Sequence, residues 1–303
     1  MKRKKLLIML IGFLLVVCLG ISLAATAKYR DPETLTFSMV PAEAVEKEIT
    51  LYKPVIQYLE KVTGKKIDFY MPTNRASVIE AMVNRWVDIA VFGPYSYVMA
   101  HELDPHIVVF ATYAKRPGPL TKEGPGYQSV LITKKGSKFT TIESLKGAIL
   151  ALTDPASTSG NLVPRVIFGK EVLHGKPLED YFGKVVYSGG HDLSTLAVRD
   201  GRVDAAFVAS HRFDNVIYRG LVKKEDFNFL WFSPVIPGDP FCYLTDLTPE
   251  LREKIKHTFL TLHEIPECKK FLDNVASSKF VEMKDSDYDI IRELKEAKEK
   301  MGL

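Results

Sequence analysis

Cysteine is nearly absent from this 303-residue chain: it occurs three times, and Cys18 lies within the apolar N-terminal stretch. Cys242 and Cys268 are too few to build a disulfide scaffold, and the sequence leaves open whether they pair or remain separate buried thiols. Surplus charge is missing as well. The formal net charge is +4, and Lys2, Arg3, Lys4 and Lys5 account for all of it, so the rest of the chain is neutral. A neutral chain lacks the excess of Lys and Arg that a phosphate backbone demands, which excludes nucleic acid as a partner. There is no closely spaced His/Cys/Asp cluster of metal-ligand type, no nucleophile-elbow pattern around a serine, and no low-complexity or Pro/Ser-rich linker. No resident metal, cofactor or catalytic residue is expected.

What is present begins with an export signal. Lys2 to Lys5 precede an uncharged run from Leu6 to Ala24, and Ala25-Thr26-Ala27 supplies a small-x-small cleavage pattern. Residues 1–27 therefore read as a signal peptide, or as a retained N-terminal anchor, since the apolar run is long enough to span a bilayer. Val17 before Cys18 is a poor fit to a lipid-attachment site. The expected location is the periplasm or the outer face of the cytoplasmic membrane.

Beyond the signal, strands alternate with helices: Leu35–Val40, Lys66–Tyr70 and Val87–Phe92 read as strands, Pro54–Val62 and Ala76–Asn84 as helices. That order predicts an α/β fold with a largely parallel sheet covered on both faces. A helix, a polar turn and a Val-Asp pair opening an apolar strand occur at Val87-Asp88 and again at Val203-Asp204, suggesting one α/β unit per lobe. Two turn-rich segments, Gly124–Gln128 and Ser233–Pro240, fit a chain that crosses to a second lobe and returns. The expected division is 28–130 with 242–303 for a discontinuous first lobe, and 131–241 for the second. Pro249–Leu262 and Asp287–Lys300 read as amphipathic surface helices completing the first lobe.

The candidate site centres on Asp154-Pro155-Ala156-Ser157-Thr158-Ser159-Gly160, followed by a predicted helix from Asn161 to Leu173. One hydroxyl suffices to cap a helix. Ser157, Thr158 and Ser159 together, with Gly160 removing bulk, place several donors and free N–H groups at the positive end of a helix dipole, which suits an anion. Ser188-Gly189-Gly190-His191 forms a second glycine-rich helix entrance with His191 beside it. Tyr95 and Tyr97 follow Gly93-Pro94 at a strand's carboxyl end, where they line a cleft or pack as ordinary aromatics.

Taken in order, Val87-Asp88-Ile89-Ala90 with Phe92-Gly93-Pro94, Ser157-Thr158-Ser159-Gly160 with Leu162-Val163-Pro164, Ser188-Gly189-Gly190-His191, Val203-Asp204 and Ser233–Pro240 resemble the phosphonate-type (phosphate/phosphite/phosphonate) solute-binding proteins of ABC transporters. The resemblance runs from about Leu35 to the final helix. It implies a bilobal periplasmic-binding-protein (Venus flytrap) fold, two α/β lobes joined by a two-segment hinge, which captures a small phosphorus oxyanion and delivers it to a membrane permease. It assigns the oxygen-holding hydroxyls to Ser157, Thr158 and Ser159, the family's histidine to His191, its Pro-Gly-Asp carboxylate to Asp239 and a hinge-side tyrosine to Tyr127. An ionised Asp239 is useful only toward a P–OH, which would reject sulfate for want of a proton. The chain departs from the aminoalkylphosphonate pattern at Asn74-Arg75, where that pattern has Asp-Tyr, and at His211, where it has a Glu able to receive an amine. Loss of the acid argues against an ammonium-bearing ligand, and Arg75, if it enters the cleft, favours an inorganic oxyanion or an acidic phosphonate.

The expectation is a monomeric, non-enzymatic importer component. The alternatives are a ligand-sensing partner of a membrane receptor and a binder of another small anion, ferric iron being the remotest. A Ser157–His191–Asp239 hydrolase is set aside because Ser157 lies in a capping turn.

Overall fold

The computed structural model describes residues 29–40 and 45–303; the N-terminal signal lies outside them. Apart from short 3-10 turns, the chain runs through β1 (Thr34–Met39), α1 (Val45–Thr63), β2 (Lys66–Tyr70), α2 (Arg75–Val83), β3 (Ile89–Val91), α3 (Pro94–Leu103) and β4 (Ile107–Lys115). It crosses by β5 (Gly126–Tyr127) into β6 (Ser129–Lys134), β7 (Ile149–Leu152), the wide helical turns Thr158–Leu162 and Pro164–Phe168, and α4 (Gly169–Glu171). There follow α5 (Leu178–Tyr181), β8 (Lys184–Tyr187), α6 (His191–Arg199), β9 (Ala205–Ala209), α7 (Ser210–Tyr218) and β10 (Phe227–Phe232). The return by β11 (Ile236–Pro237) leads to β12 (Phe241–Leu244), α8 (Pro249–Leu260), α9 (Lys269–Asn274), β13 (Ser277–Glu282) and α10 (Asp289–Lys300).

Two sheets result, a six-stranded one in the order β13-β4-β12-β3-β1-β2 and a five-stranded one in the order β10-β6-β9-β7-β8. Their centres match: β2, β1 and β3 are parallel and β12 antiparallel to them, as β8, β7 and β9 are parallel and β6 antiparallel. The Val-Asp repeat does the same job in both lobes. Thr36 N–H donates to Asp88 Oδ2 at 2.9 Å and Ile149 N–H to Asp204 Oδ2 at 2.7 Å, so each aspartate pins the start of the neighbouring strand. The larger sheet packs on Phe37, Phe241, Phe259, Phe271 and Phe280, whose rings meet in tilted, edge-to-face and stacked pairs, each contributing about 0.5–1.5 kcal/mol beyond its buried area. Cys242 and Cys268 are buried free thiols.

The two crossings pair with each other. Tyr127 lies opposite Ile236 and Gly126 opposite Pro237 in a short antiparallel ladder. A Cβ on Gly126 would meet the Ile236 carbonyl oxygen at 2.8 Å, and one on Gly238 would meet Thr112 Oγ1 at 2.5 Å, so both glycines are required by close approach. Tyr127 and Asp239 thereby stand at the floor of the gap between the lobes.

Two helices differ from the sequence expectation. α1 begins nine residues before Pro54 and carries it internally. The segment expected as an α-helix over 161–173 instead opens with i→i+5 bonds, Leu162 N–H reaching Ser157 O at 3.0 Å. Pro164 has no N–H to give an α-helical bond, and Gly160 is pressed so close to Thr153 that a Cβ would overlap its hydroxyl at 1.9 Å. Wide turns of this kind recur at functional sites.

Candidate anion-binding site

The Ser-Thr-Ser turn sits at the carboxyl end of β7, and its hydroxyls have different employments. Ser157 Oγ accepts the Gly160 N–H at 3.1 Å as the cap, and Thr158 Oγ1 accepts the Tyr95 N–H of the first lobe at 2.8 Å. Ser96 Oγ adds a second bond between the lobes, to Ala156 O at 2.9 Å. Ser159 Oγ is buried and makes no hydrogen bond among the described residues. The Tyr127 hydroxyl faces the Thr158 and Ser159 side chains, and burial raises its pKa.

His191 opens α6. Its Nδ1 accepts the Ala209 N–H at 3.0 Å, so the proton of the neutral ring is on Nε2 and available as a donor. Burial, then the charges of Arg75 and Arg212, push its pKa well below the ordinary value. His211, in the first turn of α7, is also held neutral, its pKa drawn down to about 4 by burial against the upward pull of Asp239. Its ring meets the Tyr127 ring edge-on at 4.6 Å.

Opposite them stand Asp239 and Arg75. Burial would raise the Asp239 pKa, but His211, Arg212 and Arg75 outweigh it and keep the carboxylate ionised. Arg212 Nη2 lies 3.0 Å from Asp239 Oδ2, and His211 Nε2 is 3.6 Å from the same oxygen. Arg75 follows the Asn74 cap at the start of α2 and is only 8% exposed. Among the described residues no carboxylate lies within ion-pair distance of its guanidinium, whose pKa is lowered by burial, with Asp154 and Asp239 pulling the other way from further off. Gly93 makes room for it: a Cβ there would come within 3.0 Å of Arg75 Nη1.

Arg75, Tyr127, Ser157, Thr158, His191, His211 and Asp239 line one cavity of about 270 Å³ between the lobes, some of it open to solvent. Ser159 lies beside it. Tyr95 is set apart: only its N–H serves the turn, while its ring lies 5.7 Å from the Lys298 ammonium on α10, a direction that strand-end position could not reveal. Arg212 also lines the cavity, and sequence reading missed it although it follows His211 directly. Among the described residues of the cavity, Arg75 and Arg212 bring guanidinium groups and Asp239 a carboxylate. With the Nε2–H of His191, the hydroxyls of Ser159 and Tyr127 and a single ionised acceptor, this arrangement suits an oxyanion carrying one proton.

Two α/β lobes clasped over a buried cationic cavity, joined by paired crossing strands, define a bilobal solute-binding protein. The family described as "ABC transporter, phosphonate, periplasmic substrate-binding protein" matches residues 37–288, and the chain belongs to it. It is 32% identical over 233 residues to the phosphate-import protein PhnD of Mycolicibacterium smegmatis, covering 75% of this chain and 71% of that one. To the phosphonates-binding periplasmic protein of Escherichia coli it is 29% identical over 276 residues, covering 89% and 78%. The crystal structure of a binding protein component of an ABC phosphonate transporter from Pseudomonas aeruginosa superposes with a TM-score of 0.79 at 26% identity, over 90% of this chain and 88% of that one.

Proposed function

We propose that this chain captures a phosphonate, phosphite or phosphate-like oxyanion outside the cytoplasm and hands it to an ABC permease, without altering it chemically. The observation that carries the reading is Arg75, a buried cation with no carboxylate within ion-pair distance among the described residues, facing a cavity lined also by Tyr127, Ser157, Thr158 and His191. Burying an uncompensated charge is costly, so an arrangement of this kind makes sense when a ligand supplies the counter-charge. Ser157, Thr158, Ser159, Tyr127, His191 and Arg75 act as donors to the phosphorus oxygens. Asp239, kept ionised by His211, Arg212 and Arg75, accepts the ligand's P–OH. Aligned on those roles, the hinge is the β5–β11 ladder and the lobes divide there, slightly inside the expected limits of 130 and 242, since β6 opens in the second sheet at Ser129 and β12 in the first at Phe241. The N-terminal 27 residues direct export.

A hydrolytic role finds no support in the same residues. His191 Nδ1 accepts a backbone N–H instead of donating to a carboxylate, and Asp239 is engaged with Arg212 and His211. A thermal-shift panel of phosphite, phosphate, methylphosphonate, aminoethylphosphonate and sulfate tests the reading, because a ligand that binds the folded state raises the melting temperature. A response to at least one phosphorus acid and none to sulfate supports it. An equal response to sulfate, or none to any phosphorus acid, overturns it.

A further inference from the structure

The anion cavity does not end at Asp239. Arg212 lines it on one side and, on the other, a much larger cleft with about 2070 Å³ of empty space, much of it open to solvent. Both lobes wall this cleft, with Tyr52, Tyr113 and Lys115 on one side and Arg212, Tyr218 and Arg219 on the other. Its wall is unevenly charged. Lys53 and Lys270 stand exposed at the rim and Lys115 is half-buried inside, whereas Asp273, the one acid among the described wall residues, is engaged by Arg116 at 2.7 Å. Lys115 Nζ lies 4.2 Å from the Tyr113 ring centre and donates to Val275 O at 2.9 Å, and no described carboxylate comes within ion-pair distance of it. The same lysine lines a small chamber with Tyr127, His211 and Asp239, which puts it between the oxyanion site and the open cleft.

We infer that the cleft is a second subsite, which takes the acidic end of an organophosphorus compound whose phosphoryl group occupies the Ser157–Asp239 cavity. The inference rests on the function proposed above and narrows its ligand class from small inorganic oxyanions to phosphonates carrying a second anionic group, such as a carboxylate. Shape and charge act together here. A phosphite or methylphosphonate fills the inner cavity alone, while a chain of a few carbons leads past Arg212 to the Lys115 ammonium. Lys115 is suited to respond: burial and the neighbouring Arg212 draw its pKa down to about 7 against the pull of Asp239 and Asp214, so a carboxylate arriving beside it restores a full charge.

The test is calorimetry on the full chain with phosphonoacetate, 3-phosphonopropionate and 4-phosphonobutyrate, each against the alkylphosphonate of matching length, with methylphosphonate as the reference. At least one carboxylated ligand is expected to bind tenfold or more tightly than its alkyl partner. Lys115→Met is expected to weaken that ligand at least tenfold more than it weakens methylphosphonate. Should K115M fold poorly, the exposed rim variant Lys53→Gln/Lys270→Gln reduces the preference in the same direction with less disturbance. Methylphosphonate binding without any advantage for a carboxylate overturns this inference and leaves the oxyanion site standing. Binding of phosphite or phosphate with failure of every phosphonate likewise overturns this inference alone, whereas failure of all of them overturns the oxyanion site and this inference with it.

Discussion

Arg212 Nη2 and Asp239 Oδ2 lie 3.0 Å apart across the gap between α7 and the returning crossing strand. The contact neutralises a carboxylate that would otherwise repel any anion, yet leaves its other oxygen able to accept a proton-bearing group. Asp239→Asn should therefore act twice. Removing one partner of a buried pair costs on the order of 3–5 kcal/mol, visible as a lowered unfolding midpoint without ligand. Discrimination between phosphorus acids and sulfate should narrow as well, because the amide can donate where the carboxylate could only accept. Competition of sulfate against the bound phosphorus acid measures the second effect.

Arg75→Met should move stability and binding in opposite directions. Without ligand the guanidinium is a buried charge with no described carboxylate at ion-pair distance, so a well-packed apolar replacement should raise unliganded stability by roughly 1 kcal/mol or more. Affinity for the phosphorus ligand should fall at least about a hundredfold, the loss of a charge-assisted bond. Paired denaturation and calorimetry on the one variant check both.

The three consecutive hydroxyls separate in the same way. Ser159→Ala should lower unliganded stability less than Thr158→Ala, since its Oγ makes no well-formed hydrogen bond and only faces the Tyr127 hydroxyl, and should weaken ligand binding by about 1 kcal/mol. Thr158→Ala should lower both, because Thr158 Oγ1 holds the Tyr95 N–H across the lobes. Urea midpoints set beside dissociation constants distinguish the two.

Acid should loosen the protein through its buried histidines. The His211 pKa falls from an ordinary 6.5 to about 4 on folding, and that of His191 is lowered also. Between those values the unfolded chain binds a proton that the folded ring refuses. Stability is then full above pH 6.5 and declines as pH drops toward 4, by up to about 1.4 kcal/mol per pH unit for each ring. The depressed Asp239 pKa adds its own loss only below the ordinary carboxylate range. His211→Gln should flatten the decline between pH 6.5 and 4, as urea midpoints measured across that range would record.

Much of this was legible in the sequence, for local reasons. Strand and helix order follows periodicity, Gly126 and Gly238 mark a crossing too tight for side chains, and the Val-Asp repeat names two aspartates that each pin a neighbouring strand. The Ser157–Ser159 turn and His191 stand out by the hydroxyls and glycines around them and Asp239 only by the family resemblance; the structure brings Ser157, Thr158, His191 and Asp239 to one cavity. Arg212 was not found, because its value comes from meeting a residue 27 positions away, which no local pattern encodes. Tyr95 shows the converse limit: its place after a strand was correct, but its ring turns toward Lys298. The wide turns after Ser157 were hidden because an apolar period looks alike in α-helical and i→i+5 windings over so short a span.

The most direct measurement is a crystal structure of the protein saturated with phosphite or methylphosphonate. The expected result is one phosphorus centre between the lobes, with oxygens about 3 Å from Ser159 Oγ and the Arg75 guanidinium and one oxygen at the short distance, about 2.5–2.7 Å, that a P–OH makes with the Asp239 carboxylate. A ligand held elsewhere, or a phosphorus centre in the cavity with Asp239 contacting only Arg212 and His211, would contradict it.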